Sequence, residues 1–550
     1  MIEGARVFGA FTREWLEGDV AIADGRFAGI GSYAGGERID GSGRFLTAGF
    51  IDAHMHVESS KLTVGELARV LVARGTTTIV CDPHELANAL GPAGVHWFVD
   101  ACEGLPLDVF AFAPACVPAS QFESPRAPLS LDDLAGILAR ERVLGLAEMM
   151  NFPAVIAGEP GELAKLALAA GKRIDGHAPG VRGAGLDAYL ATGIATDHES
   201  TVLDEALEKR RKGAWVLLRE ASNARNLRAL LPLVREYGPE RCAFCTDDRE
   251  PDFLLREGHI DQMCRIAVAE GISPEDALVL ATLHPALCHG LPRVGAIAPG
   301  YRADCVLLDD LGSFRASLVI KDGAVVARDG VTAPFSAAQV PEWVRDSVRI
   351  APLQEDAFRL VHRGGNVRAI GLVRDQILTE HLVLTPSARG DEVVADPERD
   401  LAKIAVVERH HATGRIGLGL VRGFGLRRGA MATTVAHDAH NIVAVGVDDE
   451  DMARCVERLA EIGGGIVLYE RGVLRAELAL PIAGLMSEQP VGEVVERLDE
   501  LHAVVRELGS TLAAPFMTLS FLALSVIPAL KITDQGLVDV ERFEIVPFDA

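Results

Sequence analysis

The sequence predicts an α/β protein: a (β/α)8 barrel inserted in a small β-structure, with an α+β domain at the C-terminal end. Three observations point there. Between residues ~50 and 290, apolar strand-like runs ending in polar residues alternate with helix-like stretches eight times. A texture of short strands and glycine turns before that region returns after it. Beyond about residue 345, strands and helices of a different pattern follow, in a chain of 550 residues that is too long for one compact core.

The opening stretch alternates in GDVAIADGRFAGIG and turns at Asp24-Gly25; its counterpart is VGAIAPGYRADCVLLDD with LVIKDGAVVARDG. Domain termini commonly lie close together, so a barrel inserted between two pieces of one β-structure is geometrically reasonable. The expected boundaries are 1–49 with 291–345 for the split β-structure, 50–290 for the barrel, and 346–550 for the last domain. The barrel strands end in GFIDAHMH, TTTIVCDPHE, VFAFAPACVP, VLGLAEMM, RIDGHAPG, GIATDHES, WVLLREAS and CAFCTDD. Helical segments such as VGELARVLVARG and GELAKLALAAG separate them. The C-terminal domain reads as strands (AIGLVRDQILTEHLVL, IAVVERHH, NIVAVGV, GGIVLYERG) and helices (DEDMARCVERLAEIG, VGEVVERLDELHAVVREL).

A net charge of −24 repels phosphate backbones, and no Lys/Arg cluster interleaves with aromatics, so polymeric nucleic acid is excluded as a partner. The N-terminus lacks a basic flank before an apolar core, and the apolar run at Ala514–Leu530 is broken by Pro515 and Pro528. That run is short of the ~20 residues of a spanning helix and reads as buried core, which leaves no membrane partner. Nine cysteines at irregular spacing suit reduced thiols in the cytoplasm. A homo-oligomer, a dimer first, is the expected assembly.

Active sites of such barrels lie at the C-terminal strand ends, and His, Asp and Glu stand at nearly every one here. His54 and His56 are two apart on a strand, so both imidazoles face the same way. Glu148 ends the fourth strand, His177 the fifth, His198 the sixth and Asp247 the eighth, which lies beside the first in a closed barrel. Four imidazoles and two carboxylates suit divalent Zn, Mn or Fe(II), and six ligands exceed the needs of one tetrahedral ion. Two divalent ions per chain with a bridging carboxylate are therefore expected.

This pattern resembles the amidohydrolase superfamily, and the strings GFIDAHMHVESS, CDPHE, GLAEMMNFP, DGHAPG, DHES, CTDD, EGHID and AHDAHNIV look like its adenine deaminase branch. The resemblance runs over nearly the whole chain. It implies that the split β-structure is a small β-sandwich. It also implies His54, His56 and Asp247 on one metal, His177 and His198 on the other, and Glu148 as the bridge. The implied reaction is hydrolytic deamination of adenine to hypoxanthine and ammonia, with water activated by the metals. Asp247 is then the proton shuttle, and the acid that protonates ring N1 is one of Glu148, Glu85, Glu199 or Glu220. The alternative is another hydrolase of the same superfamily, acting on a modified 6-aminopurine or a cyclic amide. A silent scaffold is disfavoured, because crowded imidazoles and carboxylates are costly without a cation.

Other residues have two readings each. Glu85 either stabilises a helix first turn or serves substrate, and His84 beside it supports a ligand or binds substrate. Arg219 and Glu220 either orient the base or pair with each other. His437 and His440 either reach back over the substrate or form a surface or structural cluster. Cys242 and Cys245 read as strand packing, His284 as structural, and IGLGLVRGFG as turn or bulge material.

Overall fold

The computed structural model describes residues 1–374 and 376–550. Eight parallel strands form the centre: β1 Phe50–Met55, β2 Thr76–Cys81, β3 Asp108–Ala113, β4 Val143–Met149, β5 Arg173–Gly176, β6 Thr196–Asp197, β7 Trp215–Arg219 and β8 Cys242–Cys245. Strands β1 to β5 make one sheet and β6 to β8 another. Two seams join them into a ring. Ala195 N donates to Ile174 O (3.1 Å) beside β5 and β6, and Asp247 N donates to His54 O (3.0 Å) where β8 meets β1. Nearly every residue of these strands is buried, as expected where helices cover the outside of a parallel sheet. The amphipathic helices that do so include α1 Val64–Ala73, while α2 His84–Leu90 starts at the pocket end of β2.

The segments on either side of the ring pair with each other. Cys305–Leu308 pairs antiparallel with Phe45–Ala48 at the centre of a seven-stranded sheet that also holds Arg6–Gly9 and Ala316–Lys321. Val7, Leu46, Leu307 and Ile320 of this sheet share a core with Ile2, Val20 and Phe27 of a neighbouring four-stranded sheet. The Asp24-Gly25 and Asp322-Gly323 turns both run through positive φ (50° and 70°, 51° and 80°), the conformation that closes a two-residue hairpin.

The C-terminal region adds β9 Val367–Leu372, β10 Thr379–Leu384, β11 Leu401–Val407, β12 Ile416–Arg422, β13 Ala430–Thr433, β14 Ile442–Gly446, β15 Gly465–Glu470 and β16 Val473–Ala479. They form one sheet in the order β10-β9-β12-β11-β14-β13-β15-β16. Helix α3 Asp449–Glu461 covers one face through Met452, Cys455, Val456 and Leu459. Residues of the other face, Ile404, Val406 and Val443, join the core of the barrel itself, together with α4 Val491–Leu508 and α5 Pro515–Phe521. The apolar run around Pro515–Leu530 is thus buried interior. Among the described residues no helix is long and apolar enough to cross a membrane.

Two expectations are corrected here. The stretch AIGLVRDQILTEHLVL is two strands that pair with each other, Leu372 opposite Thr379, because Arg374 and Asp375 break the apolar alternation. Residue 375 itself lies outside the described residues. IGLGLVR is strand β12 and not a turn: its glycines make room for a hairpin, β17 Leu530–Thr533 and β18 Gly536–Asp539, laid across it. A Cβ on Gly417 would stand 1.9 Å from Thr533 O, and one on Gly419 3.1 Å from the Leu537 side chain.

Gly417→Ala is therefore expected to destabilise by about 1–3 kcal/mol through overpacking against backbone. Thermal denaturation should show a melting midpoint lowered by several degrees; an unchanged midpoint would refute the close-approach account of this strand.

Candidate metal centre

The pleat of β1 sends Asp52, His54 and His56 to one side of the strand. Asp52 ties the ring together. Its carboxylate accepts the His54 (3.1 Å) and Thr246 (3.2 Å) backbone N–H groups, and Oδ2 lies 2.8 Å from His259 Nε2. The first and eighth strand ends are thereby locked in register, which places Asp247 against the histidine pair.

The hydrogen bonds on the far side of each ring decide what the near side presents. His54 Nδ1 lies 2.8 Å from Asp175 Oδ2, and His56 Nδ1 lies 3.1 Å from Asp82 O. Both partners are acceptors, so both Nδ1 atoms carry a proton and, in the neutral rings, both Nε2 atoms are lone pairs open to a proton or a metal ion. These two lone pairs face each other at 3.2 Å. They need an electrophile between them.

Two donor sets surround that point. In the first, Glu148 Oε1 is 3.7 Å from His54 Nε2 and 3.4 Å from His56 Nε2, and Asp247 Oδ1 is 3.1 Å from His56 Nε2. In the second, Glu148 Oε2 is 2.8 Å from His177 Nδ1 and 3.3 Å from His198 Nε2. Tetrahedral bonds of about 2.0–2.1 Å have edges of about 3.3–3.4 Å, so both sets fit an ion of transition-metal size. The two oxygens of Glu148 face different sets, as a bridge requires. All six side chains are buried.

The charge balance agrees. Burial pushes the Asp247 carboxyl up, but the His56 hydrogen bond and the Arg219 guanidinium hold it well below the ordinary range. Glu148 is likewise held well down against burial, by His198 and His177. Burial opposes charge on His56, yet Asp247, Asp248 and Glu148 raise its pKa well above the ordinary value, so without a metal ion a second proton goes to Nε2. The carboxylates demand cations, and a divalent ion meets that demand while using the lone pairs.

The remaining expected residues divide. His84, first in α2, lines the cavity above the donor sets, with Nδ1 2.9 Å from Asp82 Oδ2. Arg219 reaches both Glu199 (Nη2 to Oε2, 3.0 Å) and Asp247 (Nη1 to Oδ2, 2.8 Å). Glu220 points to the other side of β7 and pairs with Arg225 at 2.8 Å, so neither a mutual pair with Arg219 nor contact with the cavity exists. His437 and His440 are buried against the barrel and not at the surface. His437 lines the cavity, its ring nitrogens 3.4 Å from Glu85 Oε1 and from Asp248 Oδ1. His440 Nδ1 accepts the Ala436 N–H (3.0 Å), which puts the proton on Nε2, 3.7 Å from Glu85 Oε2. Glu85 and His440 are not among the residues lining the cavity; burial, with Asp248 nearby, raises the Glu85 pKa, and burial together with Glu85 pushes its neighbour Glu58 up to about 8.

Several residues went unread in the sequence. Asp52, Asp82 and Asp175 each stand two positions before a histidine, a D-x-H spacing repeated at three strand ends that marks carboxylates on the face of the ligands. Asp438 has the same spacing before His440, though in a loop and not at a barrel strand end; Lys531 gave no such signal. Lys531 Nζ is buried and donates to Ile377 O (2.8 Å) and Phe521 O (2.9 Å), fixing two cavity walls; burial lowers its pKa to about 7. The cavity is small, about 20 Å³, room for a water or two. Met150, Ile377, Phe521 and Leu524 supply its apolar walls. A larger open groove around Arg74, Leu255 and Val331 shares no residue with it.

A parallel α/β ring with clustered His and carboxylate side chains at its strand ends defines the class, and residues 45–336 match the amidohydrolase family, whose members use divalent metals. Within that class the chain belongs to the adenine deaminase family: residues 376–544 match the adenine deaminase C-terminal domain, and full-length relatives agree. It is 44% identical to adenine deaminase 2 of Carboxydothermus hydrogenoformans over 549 residues, covering 100% of this chain and 96% of that one. It is 47% identical to the adenine deaminase of Cereibacter sphaeroides and 46% to that of Methanothrix thermoacetophila, again with 100% and 96% coverage.

Asp175→Asn tests the lone-pair geometry. Asp175 Oδ1 accepts the Gly176 N–H (3.1 Å) and the Thr196 hydroxyl, so the Asn carbonyl takes that place and the NH2 faces His54 Nδ1. His54 then moves its proton to Nε2 and loses its lone pair. Metal affinity, read by chelator competition, should fall about 10–100-fold; parental affinity would overturn the tautomer assignment.

Proposed function

We infer that the chain hydrolyses adenine to hypoxanthine and ammonia. Identity of 44–47% to adenine deaminases along the full length supports this substrate, and the donor sets support the chemistry. The reading assigns His54, His56 and Asp247 to one divalent ion, His177 and His198 to a second, and Glu148 to both; Mn, Fe(II) and Zn all accept such ligands. Ions held there lower the pKa of bound water to about 7 in favourable cases and so supply a nucleophile at neutral pH.

The protons are left to the protein. Attack of water on C6 releases one proton that must reach N1, and collapse of the adduct requires a second on the departing nitrogen. Two carboxylates that each begin and end without a proton complete the balance. Of the acids expected for N1, Glu85 and Glu220 stand outside the cavity, and both oxygens of Glu148 face imidazoles. Glu199 lines the cavity, with Oε1 3.5 Å from His198 Nε2. Glu199 carries the first proton to N1 and Asp247 the second to the amine. The observation that supports this pairing is Arg219, which bonds both carboxylates and sets their spacing.

The domain reading follows the same lines: residues 1–49 and 291–345 as one split sandwich, 50–290 as the barrel and 346–550 as the third unit. All nine cysteines are free and buried among the described residues, which supports a reducing compartment, the cytoplasm.

Metal analysis of protein prepared without chelator should give about two divalent ions per chain; one or none would sink the two-ion reading. Asp247→Asn should fold and keep most metal yet lose turnover by at least 100-fold, the scale of general acid–base catalysis. Ammonia release from a panel of adenine, other 6-aminopurines and cyclic amides decides the substrate, and silence with adenine would favour the other hydrolase chemistries.

A further inference from the structure

The cavity has two polar ends, and the mechanism uses only one. At the far end stands Asp438, from the loop between β13 and β14, its side chain 3% exposed. His84 separates it from the donor sets: Nδ1 is 3.8 Å from Glu148 Oε1, and Nε2 is 3.5 Å from Asp438 Oδ1. Asp438 thus faces the ligand cluster across about the length of one imidazole ring and its two contacts. Its Oδ2 is buried and has no hydrogen-bond partner among the described residues. A buried carboxylate oxygen without a donor is costly, so a donor is due from whatever fills the cavity.

A planar bicyclic base matches that arrangement. Phe521, Leu524, Ile377 and Met150 offer apolar surface to its faces, which leaves its two edges to the polar ends. With C6 turned to the donor sets, the imidazole half of a purine points toward Asp438. Apart from the amino group that leaves, adenine has one N–H, and it lies on that imidazole half.

We propose that Asp438 accepts the imidazole N–H of the purine and so restricts the site to bases unsubstituted at N9. The proposal rests on the adenine reading above. A substituent at N9 removes the donor and strands the carboxylate, and sites built around such a hydrogen bond reject analogues that lack it by about 10⁴–10⁵. Asp438 therefore binds and selects; the proton transfers belong to Glu199 and Asp247.

The test compares kcat/KM for adenine and 9-methyladenine in the parent and in Asp438→Ala, with metal content and melting midpoint as controls. The parent should discriminate strongly against 9-methyladenine. In Asp438→Ala, kcat/KM for adenine should fall about 100-fold, chiefly through KM, while 9-methyladenine changes little, so the ratio collapses. An unchanged ratio, with both substrates falling together, would overturn the proposal. A second arm needs no variant: purine should inhibit the parent competitively, and 9-methylpurine at least 100-fold more weakly. Equal inhibition constants would also overturn it. A parent that releases no ammonia from adenine would instead be a failure of the adenine reading.

Discussion

His54 and His56 turn their Nε2 atoms toward each other across 3.2 Å because the Asp175 carboxylate and the Asp82 carbonyl engage Nδ1 on the opposite sides of both rings. Everything around the cavity serves that arrangement. Asp52 fastens the end of β1 to the turn after β8 through Thr246 and His259, so the pair cannot rotate away from Asp247. Asp247 itself stands at positive φ (56°), where the chain leaves β8 and turns its carboxylate inward. Arg219 then neutralises the oxygen of Asp247 that the histidines do not face. A parallel ring brings these groups together from strands far apart in sequence, which is why the donors stand at its ends and not along any one element.

Much of this was legible in the chain. Period-two alternation put His54 and His56 on one face, and the ring order put Asp247 beside them. The same rule, applied to β7, excludes a bond between Arg219 and Glu220, because consecutive residues of a strand point to opposite sides. What was not legible crosses the ring or comes from another domain. Asp175 stands two residues before His177 but orients His54, a partner that only closure of the barrel supplies. IGLGLVR has the glycine content of a loop, and its role as a strand emerges only when the hairpin that needs the space is in place. Asp438 shares the D-x-H spacing, but it and Lys531 lie in the C-terminal region, where spacing alone does not say which side chains reach the barrel.

The interior behind the cavity is unusually acidic. Burial, with Glu85 beside one and Asp438 beside the other, pushes Glu58 and Glu123 up to about 8, so both are mostly protonated near neutral pH. Protonated carboxyls donate as well as accept. This lets acids crowd beneath the C-terminal cover without matching cations. Ser59, Ser120 and Ser525 extend the network, with Ser525 bonding Glu123 and Ser59 bonding both Glu85 and Asp248. The C-terminal sheet is therefore joined to the barrel by polar contacts as well as by the shared apolar core.

The sheet in which Phe45–Ala48 pairs with Cys305–Leu308 has a consequence for synthesis of the chain. The two partners are separated by 257 residues, the interval from Ala48 to Cys305. At about 5–20 residues per second, translation leaves the first strand waiting roughly 15–50 s for its mate. During that interval Phe45–Ala48 and Arg6–Gly9 make a short apolar ribbon with an open edge, the kind of edge that recruits strands from other chains. Cys305–Leu308, when it emerges, both closes the sheet and removes the hazard. Nascent chains halted before residue 305 would be the form most dependent on chaperones.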